Sequence, residues 1–219
     1  MQLFMKSLIN FVGSKAGLLM EDLYNSIASP SEGLYKESGS RFLSLAYPCS
    51  SPEQALEIVA GLKKKYHDAT HHCYAYRIGI KGDVYRLNDD GEPSSTAARP
   101  IYGEILSAGL SDILIVVVRW FGGIKLGVPG LIKAYKSAAK DALSNAKICV
   151  KTASAAVRIT FEYPQTDFIL KELKKAGTEV VSKSFENECV IEALVPVSRM
   201  AMIKKILNLH SLKIEEKEN

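Results

Sequence analysis

Residues 111–147 constrain this chain more than any other stretch. An unbroken apolar run, Ile113-Leu114-Ile115-Val116-Val117-Val118, leads into Arg119-Trp120-Phe121-Gly122-Gly123-Ile124-Lys125-Leu126-Gly127-Val128-Pro129-Gly130. Helical periodicity then takes over from Leu131 to about Lys147. The run is short and rich in β-branched residues, which predicts a strand buried on both faces. Pro129 fits the first turn of the following helix, where a missing N–H costs nothing. Leu131, Ala134, Tyr135, Ala138 and Ala142 fall on one side of that helix. Lys133, Lys136, Lys140 and Lys147 recur on another.

Four glycines in the nine residues 122–130 allow positive φ and close approach of the backbone to something else. A glycine loop entering a helix start points free N–H groups outward, and Arg119 and Lys125 add positive charge. That chemistry suits a phosphate or a carboxylate. The plain alternative is a tight strand-to-helix turn whose glycines serve packing alone. Neither common nucleotide fingerprint, GxxxxGK[ST] or GxGxxG, occurs. Trp120 and Phe121 should divide between core and surface, one beneath the Leu131 helix and the other free to stack on a base. The lysine face marks a path for a nucleic-acid backbone, or else a solvated surface.

Two further segments carry chemistry-bearing residues. His71-His72-Cys73 enters a predicted strand, so His71 and Cys73 share one face and His72 takes the other. Asp89-Asp90-Gly91-Glu92-Pro93-Ser94-Ser95-Thr96 is dense in turn formers and hydroxyls. A loop of this length inside a domain tends to be functional. His71 or His72 meeting Asp89, Asp90 and Glu92 would give an acid–base pair or a metal site. The alternatives are a buried histidine that holds a loop, and a loop that satisfies its own backbone. No GxSxG-type elbow is present, and no nucleophile stands with its base. No catalytic residue, metal or cofactor is therefore assigned.

These three motifs, in this order and spacing, resemble the signature of the IMPACT/YigZ family, of the bacterial two-domain type. The carrying residues are His71-His72-Cys73-Tyr74-Ala75-Tyr76-Arg77, Asp89 to Ala97, and Arg119 to Gly127. The chain departs from the pattern at Ala98-Arg99, where the family usually has a glycine. The resemblance spans roughly Tyr35 to the C-terminus. It implies an α+β chain whose first domain has the two-layer fold of a ribosomal small-subunit protein domain: a mostly antiparallel sheet with helices on one side. It also implies a small C-terminal ferredoxin-like domain similar to one in elongation factor G. Eukaryotic relatives regulate the amino-acid starvation response by competing for a scaffold of a translation-factor kinase.

The rest of the chain adds organisation. Residues 1–20 are read as a mobile N-terminal extension, the alternative being a short helix lined by Phe4, Leu8, Phe11 and Val12. Residues 21–147 are read as the IMPACT-type domain and 148–219 as the ferredoxin-like one. Leu34–Pro48 is extended, with a strand over Arg41–Tyr47. Ser51-Pro52-Glu53-Gln54 starts a helix that buries Ala55, Leu56, Val59, Ala60 and Leu62 and ends at Lys63-Lys64-Lys65. Strands follow at Cys73–Ile80 and Val84–Leu87, then a loop over Asn88–Arg99 and a helix from Ile101 to Ala108 bounded by Pro100. In the last third the order is β-α-β-β-α-β, with a helix over Ser198–Leu209 burying Met202, Ile203 and Ile206, and a last strand over His210–Ile214.

A net charge of +4 is too mild to announce nucleic-acid binding by itself. Cys49, Cys73, Cys149 and Cys189 form no CxxC pair, which argues against a cysteine zinc site and for reduced thiols in a cytoplasmic protein. No apolar run approaches the roughly 20 residues that span a bilayer. The leading expectation is a non-enzymatic binding protein associated with RNA or the ribosome, or regulating translation. The alternatives are an enzyme or binding protein for a small anionic, phosphorylated ligand held by the Gly122–Gly130 turn, and a module that binds a protein partner.

Overall fold

A computed structural model describes residues 20–186 and 188–216; the N-terminal extension with Phe4–Val12 lies outside them. The described residues divide into two compact units, Tyr24–Lys151 and a second that joins the residues just before Tyr24 to described residues from Thr152 onward. No helix among the described residues is long and apolar enough to cross a membrane.

The first unit is built on a five-stranded antiparallel sheet. In chain order its elements are β1 (Leu23–Ile27), β2 (Ser31–Glu37), β3 (Ser40–Pro48), α1 (Pro52–Lys65), β4 (His71–Ile78), β5 (Val84–Asn88), α2 (Ala98–Ser107), β6 (Ile113–Trp120), α3 (Gly127–Ser144) and β7 (Ile148–Thr152). The sheet runs β2-β3-β6-β4-β5, and β1 pairs separately with β7. The stretch expected as one extended segment from Leu34 is a hairpin, turned at Ser38-Gly39, both with positive φ.

The apolar run is the central strand β6, and its alternate residues explain the layers. Ile113, Ile115 and Val117 join a core with Ile101 and Ile105 of α2 and Leu131, Ala134, Tyr135, Ala138 and Ala142 of α3. Leu114, Val116 and Val118 face the other way, onto Ala55, Val59 and Leu62 of α1. The expected two-layer arrangement with helices on one side is thus corrected to a sheet covered on both faces. A central strand apolar on both faces needs a helix on each. Leu56 and Ala60, expected inward, face solvent on α1. The Ser51 hydroxyl accepts the Gln54 N–H at 3.2 Å, capping α1.

The second unit contains β8 (Ser154–Phe161), α4 (Thr166–Lys175), β9 (Glu179–Phe185), β10 (Cys189–Pro196), α5 (Val197–Leu209) and β11 (Lys213–Glu216). Its sheet order is β11-β8-β10-β9, all antiparallel, the split β-α-β arrangement that the element order predicts. Ile159, Ile191, Ile169, Leu173, Ile203 and Leu207 form its core. On α5 the buried positions are Ile203, as expected, and Leu207; Met202 is exposed and Ile206 half-buried. Asp22 accepts the Ser198 backbone N–H at 2.9 Å and its hydroxyl at 2.6 Å, which caps α5.

Candidate functional site

Strand β6 ends beside two neighbours that set what Arg119 can touch. Phe42 of β3 and His71 of β4 lie directly across from it in the sheet. The Arg119 guanidinium sits between two rings, 5.3 Å from the Phe42 centroid and 5.6 Å from that of Phe121. Its Nη1 donates to Glu92 at 2.5 Å, and Nη2 reaches the Ser40 hydroxyl at 3.4 Å. Both charges are buried. Such a pair needs further hydrogen bonds to offset lost hydration, and Tyr135 of α3 provides one, donating its hydroxyl to the same Glu92 oxygen at 2.7 Å. The Arg119 Nε–H is buried with no partner.

Glu92 arrives on the loop Asp89–Ala97, and this loop closes on itself. The Asp89 carboxylate accepts the N–H groups of Ser95, Ala97 and Ala98 at 2.9, 3.0 and 2.8 Å. It caps α2 from upstream, so α2 starts at Ala98 and Pro100 lies inside its first turn instead of bounding it. Asp90 takes Lys63 at 2.6 Å and the His72 N–H at 2.7 Å. Burial pushes the Asp90 carboxyl upward, but Lys63 and that N–H outweigh it and hold it below the usual range. The Thr96 hydroxyl donates to the Pro93 carbonyl at 2.6 Å. Ser94 and Ser95 are exposed.

The histidines part as strand alternation requires. His71 Nδ1 meets the Asp90 carbonyl at 2.8 Å, and its Nε2 lies 3.8 Å from Glu92. His72 points to the other face, with Nε2 3.1 Å from the Tyr66 carbonyl. Burial lowers the His72 pKa. Cys73, on the face of His71, donates to the Asp89 carbonyl at 3.0 Å and lies 3.3 Å from the Tyr135 hydroxyl. Burial, with Glu92 nearby, pushes both the Cys73 thiol and the Tyr135 hydroxyl far up, so each stays protonated. Among the described residues no three His, Cys, Asp or Glu side chains converge as metal ligands.

The glycine turn behaves differently. A Cβ at Gly122 would lie 1.9 Å from the Gly39 carbonyl carbon, so this glycine serves backbone contact. Gly123 and Gly127, at φ +86° and +68°, shape the turn, and a Cβ at either would meet no clash. The Phe121 N–H donates to the Thr70 hydroxyl and the Gly122 N–H to Ser40. Among the described residues the N–H groups of Gly123, Ile124, Lys125 and Leu126 have no partner within the protein. Gly127 and Val128 open α3, where N–H groups lack intrahelical acceptors. Beside them lies a cavity of about 360 Å³ walled by Glu92, Pro93, Arg119, Phe121, Lys125, Leu126, Gly127, Val128 and Leu131.

Trp120 and Phe121 do diverge, but neither packs beneath the Leu131 helix, as one was expected to. Trp120 is half-buried on the α1 side, donating to Asp68 at 2.8 Å under the Arg41 guanidinium. Phe121 is 47% exposed at the cavity. The lysine face is partly engaged: Lys133 pairs with Glu37 at 3.0 Å and Lys136 lies 3.8 Å from Glu104, in neighbours on opposite sides of α3. Lys140 forms no ion pair among the described residues. The two segments singled out from sequence meet at one place, where Glu92 and Pro93 from the loop and Arg119, Phe121, Lys125 to Val128 and Leu131 line the same cavity. Sequence reasoning missed Ser40, Phe42 and Tyr135 as partners of the Arg119–Glu92 pair in its wall. Only a tyrosine on an otherwise alanine-rich helix face hinted at Tyr135.

A five-stranded α+β unit with a buried Arg–Glu pair under a glycine turn, followed by a βαββαβ unit, defines a class of two-unit protein. The Impact N-terminal domain family matches residues 38–143. The IMPACT family member YigZ of Escherichia coli (strain K12) is 30% identical over 164 residues, 74% of this chain and 80% of the relative. Protein IMPACT-A of Xenopus tropicalis is 35% identical over 133 residues, 58% of this chain but 40% of the relative. A crystal structure described as a hypothetical protein superposes with a TM-score of 0.67 at 27% identity, covering 90% of this chain and 98% of that one. The chain belongs to the IMPACT family.

Proposed function

We propose that this protein is a non-enzymatic binding protein linked to translation, and that its first unit captures an anionic group of its partner at the Gly123–Val128 turn. The carrying observation is the row of unpartnered N–H groups around Lys125, in a turn whose residues Lys125 to Val128 line a cavity with buried Arg119 in its wall. Family membership supports the link to regulation, since the eukaryotic relatives act on translation. The protonated, buried states of Cys73 and Tyr135 supply no activated nucleophile, which favours binding over catalysis. Titration with inorganic phosphate, followed through backbone amide resonances, tests the reading. Gly123 to Val128 should shift most, and Lys125→Glu should remove the shifts. Shifts spread evenly over the surface would refute it.

A second reading takes the anion as an RNA phosphate. Half-exposed Phe121 favours it, because a base could stack there while its phosphate meets the turn. Lys133 and Lys136 would contribute less than their spacing promised, being already paired. Filter binding of single-stranded RNA from low to moderate salt checks this reading. The log–log slope should be about −0.7 per neutralised phosphate, and Phe121→Ala should weaken binding. No binding at low salt would leave a protein or a small molecule as the partner.

A further inference from the structure

The cavity beside the turn has a composition that a bare phosphate does not explain. Phe121, Leu126, Val128, Leu131 and Pro93 make most of its wall apolar. Its buried charges cancel, since Arg119 is matched by Glu92. Lys125 and the free N–H groups at the rim, with the unpartnered Arg119 Nε–H, then offer about one charge's worth of attraction. Glu92 in the wall disfavours a dianion. A carboxylate carries a single charge and needs few donors. A volume of about 360 Å³ lies in the range of small-molecule sites and exceeds what a carboxylate alone would fill.

We propose that the ligand is a carboxylate carried on a short apolar chain, with the charged end on the Gly123–Val128 N–H groups and Lys125 and the chain against Phe121, Leu126, Val128 and Leu131. This inference rests on the anion site proposed above and adds the class of its ligand. Two sources share the chemistry: a free aliphatic acid, and the C-terminus of a peptide that ends in an apolar residue.

The test is calorimetric titration of the full chain with acetate, butyrate, hexanoate and octanoate, and separately with inorganic phosphate. Affinity should rise about four-fold for each methylene buried and level off when the cavity is full. Val128→Trp, at an exposed position on the cavity wall, should abolish the dependence on chain length while leaving the fold intact. Lys125→Glu should weaken every acid. A peptide ending in leucine, with its C-terminus free or amidated, separates the sources: tight binding of the free form alone, with hexanoate weaker, assigns the ligand to a protein C-terminus. The reverse ranking assigns it to a small acid. Phosphate binding at the turn with no gain from longer acids would overturn this inference and leave the anion site standing. Absence of binding by any anion would overturn both.

Discussion

The loop Asp89–Ala97 and the turn Gly122–Gly130 both read from sequence as candidate ligand sites, yet they differ in the folded protein. The loop is dense in carboxylates and hydroxyls, and all three carboxylates are engaged within the protein. Asp89 caps α2, Asp90 holds Lys63 and the His72 N–H, and Thr96 answers Pro93. The turn has few polar side chains and leaves its main-chain donors open. Polar density therefore marks a place where the backbone needs help. Unspent donors mark a place where a ligand can be held.

Four measurements break or sharpen this contrast. Glu92→Ala should have the largest effect, because it leaves Arg119 charged and unmatched in the interior. Urea unfolding should show a loss of about 4 kcal/mol, and a loss under 1 would mean water reaches the pair. Asp89→Ala should come next, at about 2 kcal/mol, since three N–H groups at the start of α2 lose their acceptor. Phosphate titration at the turn should be unchanged in that variant if the loop is purely internal. Lys125→Ala should leave stability within about 0.5 kcal/mol while cutting anion affinity by roughly ten-fold; unchanged affinity would make the turn as self-contained as the loop.

The smallest effect is one of pH. Burial depresses the His72 pKa, so the folded chain binds a proton there less readily than the unfolded one. Its neutral form supports the fold fully above the unfolded value of about 6.5, and stability falls as pH drops through the window beneath it. The urea midpoint of the wild type should decline between pH 7.5 and 5.5, and His72→Gln should flatten that decline. Equal slopes for the two proteins would locate the titration elsewhere.

Much of this could be read from residue order. The β-branched run at Ile113 to Val118 gave the central strand, Pro129 the start of α3, and alternation at His71, His72 and Cys73 the correct faces. The reading of that run as buried on both sides also implied cover on both sides, which α1 provides through Val59 and Leu62. The helices-on-one-side expectation set that implication aside. Other features lay beyond local pattern. Nothing in the spacing of Asp89 and Ala98 says that one caps the other. Glu92, Arg119 and Tyr135 meet only because the loop after β5, the end of β6 and the helix α3 converge on one point, and strand pairing is a long-range property.

The contact between Gly39 and Gly122 has a consequence for the order in which this protein takes shape. Ser40 receives the Gly122 N–H from 82 residues away, and the two glycines meet with no room for a side chain between them. The turn is therefore seated only once β3 has docked against β6, and that step must first close a long loop of chain. During synthesis, the binding region would be among the last parts of its unit to acquire a shape. A ribosome-bound chain ending before β6 would carry the loop sequence with its eventual partner surface still unmade. Substitution of either glycine should slow the final folding phase more visibly than any change within the turn itself.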